Sequence, residues 1–373
     1  MKDFAVVGGK ALRCGYTTGT VFTAAACLAI EGFCRKTAPD FIDIELPSGD
    51  SARLYPNSFE LTENGAVCSV IKDAGDDPDV TNGAAMFAKV TAEGEGVALT
   101  GGEGIGIVTR DGLKIKKGEY AINPVPRQMI ERNAAAFMAK HGIKGIKIEL
   151  FCPEGREIAK STFNSRLGIE GGISVLGTTG IVTPMSDEAL METTHMLIDS
   201  HFQNGKKVLL LTPGEYGEDF CRNVLKIDME RAIKCSNFIG DAIDYGLYRG
   251  FENILIIGHM GKLIKLSGGI TNTHSKTADC RMELIALFAA LSGADTELLN
   301  SIMGCISAEQ AFDLLYDTPY YNNTLKIAAE RTAFYLNHRI KGRAKWGVLM
   351  FCGRHILKTE GADALLDKIG EEI

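Results

Sequence analysis

Nowhere in the 373 residues do apolar side chains run on for the roughly 18 positions a membrane-crossing helix needs. The nearest approach, residues 21–30, is about half that length and contains Thr23. The opening string MKDFAVVGGK lacks the apolar stretch of a secretory signal, so a cytoplasmic protein with no membrane partner is expected. Cysteine occurs ten times but never in C-x-x-C spacing, which argues against a zinc ribbon or dithiol site and for reduced, mostly buried thiols. Excess positive charge is missing too. Forty Lys and Arg face 47 Asp and Glu, a net charge of −7, which speaks against a nucleic-acid binder. It leaves room for an anionic small molecule met by a local cationic cluster. There is no G-x-S-x-G elbow, no Cys–His pairing for a hydrolase, and no internal repeat. The acidic string at residues 73–79 has neither the spacing nor the twelfth-position Glu of a calcium loop.

What the chain has in surplus is glycine, 42 residues, roughly 11% against a usual ~7%. The glycines follow no G-X-Y period and lie between apolar segments, so neither collagen nor a disordered tail is implied. The length suggests about two or three domains. Residues 1–165 read as an α+β domain. A helix over 20–30 has Thr20 as its N-cap, and a second over 126–141 is closed by Gly142. Strands are expected at 41–46, 66–72, 89–100, 105–110 and 146–151. Residues 166–373 read as an α/β, Rossmann-like domain with a mainly parallel sheet. There GISVLG, KVLLLT, AIKCS and NILIIG each precede a helical segment. Its tail, 280–373, is helix-rich, with a strand at 345–352 that can rejoin the sheet.

Each of those four apolar runs enters a small-residue loop: Gly177-Thr178-Thr179-Gly180, Pro213-Gly214-Glu215-Tyr216-Gly217, Asn237-Phe238-Ile239-Gly240, and Gly258-His259-Met260-Gly261-Lys262. In an open parallel sheet such loops share the carboxyl edge, where glycine lets a ligand reach backbone N–H groups. Ordinary turn chemistry is the competing explanation. The last loop resembles a clipped phosphate loop, with two residues between its glycines rather than four and Leu263 in place of Ser or Thr. Gly102-Glu103-Gly104-Ile105-Gly106 runs into a β-prone stretch and reads as a turn, not a dinucleotide fingerprint. Around Thr17 and Thr18, hydroxyls beside a helix start suit a carboxylate or phosphate, or simple capping. The loop carrying Asp73 is either a solvated turn or a proton acceptor. Arg110, Arg127, Arg166, Lys262, Lys265 and His274 are cations or donors near turns, fit to grip carboxylates. His259, at a strand end, is a candidate base. Neither it nor His274 has ligand partners at metal spacing, so no protein-bound metal is expected.

The strings LRCGYTTGT (12–20), KDAGDDPDVT (72–81), GGEGIGIVTRDGL (101–113), AINPVPRQMI (121–130), STFNSRLGIEGGISVLGTTGIVTPMS (161–186), SNFIGD (236–241) and GHMGKLIKLSGGITNTHS (258–275) resemble the CbiD family. Departures are small: Cys14 for Ser or Thr, Val21-Phe22 for a smaller pair, and Glu215 for Asn. The resemblance implies S-adenosylmethionine-dependent methylation of C1 of cobalt-precorrin-5B, giving cobalt-precorrin-6A in anaerobic cobalamin synthesis. It assigns the glycine-lined crevice, Gly177, Thr178, Thr179, Gly180, Gly214, Tyr216 and Asn237, to the methyl donor. Thr17, Thr18, Arg110, Arg127, Arg166, Lys262, Lys265 and His274 then meet the carboxylate-rich macrocycle, whose cobalt arrives with the substrate. His259 and Asp73 are the candidate bases for the proton lost from the ring. Two other classes remain open at this point: a non-catalytic tetrapyrrole carrier, and a nucleotide-dependent enzyme using residues 258–262.

Overall fold

The computed structural model describes residues 4–7 and 9–371. It is a mixed α/β chain of two compact units, Met1–Ser186 and Asp187–Ile373, each with its own apolar core.

In the first unit a five-stranded sheet runs in the order Ser58–Thr62, Gly65–Ile71, Ala85–Thr91, Gly145–Phe151, Gly96–Gly101. All neighbours are antiparallel except the last pair. Against it lies helix Thr18–Arg35, itself covered by helix Pro124–His141. Every apolar side chain from Val21 to Ile30 is fully buried, which is why that stretch is apolar on all faces. Thr23, equally buried, donates its hydroxyl to Gly19 O at 2.7 Å, so no polar atom is stranded. The cap of this helix is Thr17 rather than the expected Thr20: Thr20 N donates to Thr17 Oγ1 at 3.3 Å. The single strand expected at 89–100 is two strands, because Gly94 and Gly96 adopt left-handed φ values of +71° and turn the chain. The second helix ends as expected on left-handed Gly142.

Glu31, near the end of the buried helix, is 2% exposed and accepts from His141 Nε2 at 2.6 Å and Lys140 Nζ at 3.0 Å, with Arg35 also paired. Burial pushes its carboxyl up, but the bonds from His141 and Lys140 and the charges of Lys140 and Arg35 outweigh that and hold it below the usual carboxylate range. A depressed folded value adds stability above the unfolded carboxylate pKa of about 4.3, lost as pH falls through the folded value. Glu31→Gln should therefore cost about 1–3 kcal/mol in urea unfolding at pH 7, less than a fully buried pair because Lys140 and Arg35 keep water. The gap between variant and parent should begin to narrow as pH falls below the unfolded value of about 4.3 and close only below the depressed folded value.

The second unit carries the parallel sheet, in the order Ala232–Lys234, Leu209–Thr212, Asn253–His259, Lys345–Cys352, with His355–Lys358 antiparallel at the edge. The strand at Lys345–Cys352 joins where the sequence placed it. Strand Leu209–Thr212 is buried throughout, as a sheet covered by helices requires. The second strand in chain order lies outside the first and the third on its other side, which makes the carboxyl ends of Leu209–Thr212 and Asn253–His259 a topological switch point.

The expected boundary at 165 is corrected to 186. GISVLG is not a strand of the parallel sheet. Ile173 and Val175 form isolated bridges to Ile105 and Ile122 in the first unit, and Ile181–Val182 pairs with Gly15–Tyr16. No described helix is long and apolar enough to cross a membrane. All ten cysteines are free, and seven of them are buried. Among the described residues no three His, Cys, Asp or Glu side chains group as metal ligands.

Candidate functional site

At the switch point, strand Leu209–Thr212 passes through Pro213 to Gly214, the N-cap of helix Glu215–Asn223. Gly214 has φ +115°, a conformation that costs any L side chain strain, and a Cβ there would stand 3.3 Å from Lys262 Nζ. Lys262 Nζ donates to Asn237 Oδ1 at 2.9 Å. One ammonium thus faces Gly214 and joins the loops after strands Ala232–Lys234 and Asn253–His259. Asn237 is fixed by Thr273, whose N–H reaches Asn237 O at 2.9 Å and whose hydroxyl lies 3.4 Å from Oδ1. The residue before Asn237, Ser236, is forced to φ +52° to make this turn. Burial lowers the Lys262 pKa, Cys235 opposes, and neighbouring Lys234 and Lys265 lower it further.

His259 closes its strand and caps the short helix Met260–Leu263, its Nδ1 accepting from Gly261 N at 3.0 Å. With that lone pair engaged, the neutral ring carries its proton on Nε2. The ring packs near exposed Tyr216, centroids 5.5 Å apart, and edge-on to Phe351 at 5.8 Å. Burial pushes its pKa below the ordinary value; Glu309 opposes and Arg281 assists. His259 is therefore a hydrogen-bond donor at pH 7, which removes the geometric case for a base. Nitrogen NMR of the histidine side chains should find His259 as a neutral Nε2–H tautomer at pH 7; an imidazolium or an Nδ1–H tautomer would contradict this.

Lys265 is also displaced from the role expected of it. It is buried, and its Nζ donates to Thr273 O at 3.0 Å and Ala278 O at 2.8 Å, so it pins the 273–278 loop from inside. His274 Nδ1 accepts from Lys276 N at 3.0 Å within that loop.

The loop Gly177–Gly180 lies in the first unit, not on the parallel edge. Three loops, not four, share that edge. The two Thr-Thr-Gly strings bind each other instead. Thr17 N and Thr20 Oγ1 both donate to Gly180 O, at 3.1 and 2.7 Å, and Thr18 Oγ1 donates to Ser174 O at 3.2 Å while accepting from Leu176 N at 2.9 Å. Gly177, at φ +128°, leaves room for Thr17, whose Oγ1 would sit 2.3 Å from a Cβ. Thr17 and Thr18 are buried and engaged, so capping wins over ligand binding there. Thr178 and Thr179 remain exposed.

The acidic loop is folded by its own partners rather than merely solvated. Asp73 takes both Arg13 guanidinium nitrogens at 2.6 and 2.7 Å, Asp76 accepts from Arg13 N at 2.6 Å, Asp77 from Met185 N at 2.9 Å, and Asp79 from buried Lys72 at 2.8 Å. Arg13 holds the Asp73 carboxyl below the usual range against a smaller upward push from burial. A carboxylate so engaged is a poor proton acceptor. Arg127 Nη1 reaches Leu99 O at 3.5 Å and lies 3.8 Å from Glu131. The Arg110 stem covers Gly168, and the Arg166 guanidinium lies 5.8 Å from the Phe163 ring. These three sit on the first unit. Sequence reasoning missed Thr273, which fixes Asn237, and the pair Asp279–Arg281, for which D-x-R spacing after the 271–275 loop was the available signal.

The CbiD family model matches residues 6–184, and the CbiD C-terminal domain model matches residues 272–362. A curated relative from Ruminiclostridium cellulolyticum, named cobalt-precorrin-5B C(1)-methyltransferase, is 43% identical over 352 residues, covering 94% of this chain and 92% of its own. One of the same name from Clostridium perfringens is 41% identical over 351 residues, 94% of each chain. The crystal structure of a cobalamin biosynthesis protein, CbiD, from Archaeoglobus fulgidus is 26% identical, covers 75% of this chain and 88% of its own, and has a TM-score of 0.41. By the span of the family models and by relatives of this identity over nearly its whole length, the chain belongs to the CbiD family.

Proposed function

We propose that this chain transfers a methyl group from S-adenosylmethionine to C1 of cobalt-precorrin-5B, giving cobalt-precorrin-6A in anaerobic cobalamin synthesis in the cytoplasm. The second unit is read as Rossmann-like, with the donor on its carboxyl edge. The observation that carries this reading is the Gly214 cradle: a positive-φ glycine at the switch point, opening beside the half-buried Lys262 ammonium. Gly214, Tyr216 and Asn237 fit the donor. Asn237 Oδ1 is engaged by Lys262, which leaves its amide N–H groups to face a ligand. When bound, the donor supplies an electrophilic methyl group on a sulfonium.

What the chain must do is hold C1 in line with that methyl group and keep water away, a positioning task. Lys262 has two ammonium hydrogens beyond the one directed at Asn237, and His259 presents Nε2–H. Both are suited to the acetate and propionate carboxylates of the macrocycle; Arg110, Arg127 and Arg166 have the same chemistry on the first unit. Proton acceptance by His259 or Asp73 drops out of the mechanism.

Calorimetry tests the reading. S-adenosylmethionine should bind in the presence of the tetrapyrrole. No binding would leave the carrier reading, and magnesium-dependent ATP binding lost in Lys262→Ala would favour the nucleotide-dependent enzyme.

A further inference from the structure

With His259 a hydrogen-bond donor and Asp73 engaged by Arg13, the proton that leaves the macrocycle has no acceptor among the residues expected for it. The balance of the reaction requires one. C1 bonds to the methyl carbon with an electron pair of the ring, and the carbon–sulfur bond breaks and leaves its pair on sulfur. The positive charge of the sulfonium then departs as one ring N–H or C–H proton.

The carboxyl edge of the parallel sheet offers a free carboxylate. Strand Lys345–Cys352 ends beside His259: Phe351 is its partner in the register, with the two rings edge-on at 5.8 Å. The chain then turns through Gly353 and Arg354 into strand His355–Lys358. Gly353, at φ +50°, has no side chain, and the Glu309 carboxylate fills the space, its Oε1 well inside contact distance of the point a Cβ would take. Glu309 lies in the first turn of helix Ala308–Tyr316, which packs on the short helix that His259 caps. It is exposed, and among the described residues it has no hydrogen bond or ion pair.

Other carboxylates near the strand ends are taken: Glu215 and Glu218 by Lys234, Asp241 by His195, Asp279 by Arg281, and Asp313 by His355 and Arg354. Glu283 acts on Arg281 but not on His259. Neighbouring groups do not compete for the proton. Burial, then the Glu309 and Asp313 carboxylates, push the Cys352 thiol up to about 12, so it keeps its own proton at pH 7. The Glu309 charge works against burial at His259, so the carboxylate is within electrostatic reach of that ring.

We propose that Glu309 is the proton acceptor of the methyl transfer, taking the proton the macrocycle releases as C1 is methylated. The assignment rests on the methyltransferase reading and deepens it. A glutamate in the first turn of a helix also favours the helix start, a role that shows in stability and not in turnover.

The test compares single-turnover methyl transfer by the full-length parent, Glu309→Gln and Glu309→Ala. It is run anaerobically at saturating S-adenosylmethionine and cobalt-precorrin-5B, with urea unfolding as the check on folding. Loss of a general base typically slows a reaction by about 10²–10⁴-fold, so the folded variants are expected to react about a hundredfold more slowly or worse. Should Glu309→Gln fail to fold, Glu309→Ala carries the same comparison. A fall of tenfold or more at saturation supports the assignment. A folded variant that reacts within tenfold of the parent overturns it, whatever its ligand affinities, and leaves the methyltransferase reading standing with water as the acceptor. A parent chain that transfers no methyl group overturns both.

Discussion

Lys262→Ala is expected to leave both units folded and to lower kcat/KM for methyl transfer by tenfold to a hundredfold, the range for loss of a charged hydrogen-bonding partner of about 1.5–3 kcal/mol. The side chain is half-buried on the carboxyl edge, its ammonium facing Gly214 and bonded to Asn237 at 2.9 Å. Truncation leaves Asn237 Oδ1 with only the 3.4 Å contact from Thr273 and removes the cation that faces Gly214. Because the strand and short helix around it are held by backbone bonds, the thermal midpoint should move little while the kinetic constant falls. Lys262→Arg should recover part of the loss by restoring charge with a different shape. A kcat/KM for Lys262→Ala within twofold of the parent would detach this edge from the reaction.

The largest effect on stability is expected from Gly177→Val. Its Cβ would fall 2.3 Å from Thr17 Oγ1 and 2.4 Å from Thr17 Cβ, and φ is +128°. Backbone strain of about 1–3 kcal/mol adds to overpacking of about 1–3 kcal/mol, against a usual total of about 5–15 kcal/mol. The clash also displaces Thr17, the cap of the helix at the centre of the first unit. Gly214→Val makes the informative contrast. Its φ of +115° carries similar strain, but the near neighbour, at 3.3 Å, is the movable end of Lys262. It should lose less stability and more affinity for the methyl donor. Urea midpoints separate the two. A Gly177→Val chain that unfolds with the parent would mean the Thr17–Gly180 tie contributes little.

These two glycines look alike in the sequence, each following an apolar run, and only the structure tells them apart. Periodicity was enough for helices Thr18–Arg35 and Pro124–His141, though not for the cap of the first, and local signals were enough for the left-handed Gly142 and for strand Lys345–Cys352, since each is decided by neighbours in the chain. The loops at Gly214, Asn237 and His259 were legible for the same reason: they follow strands that sit side by side in the parallel sheet. GISVLG misled because a four-residue run, Ile173–Leu176, is too short for periodicity to distinguish a sheet strand from a bridged segment. The roles of Thr17, Thr18 and Asp73 were settled by partners roughly 60 to 160 positions away, Arg13 for Asp73 and Ser174, Leu176 and Gly180 for the threonines, which local composition does not reveal. His259 was legible in place but not in function, because its cap to Gly261 fixes the tautomer. Lys265 read as a cation for the substrate's carboxylates, but its interior hydrogen bonds to two loop carbonyls make it a structural pin.

The most direct measurement is anaerobic turnover of cobalt-precorrin-5B with methyl-labelled S-adenosylmethionine, followed by locating the label on the product by NMR. The account predicts one label per macrocycle, on C1, with S-adenosylhomocysteine released in equal amount. Label at another ring carbon, or no transfer by a folded chain that binds both ligands, would contradict it.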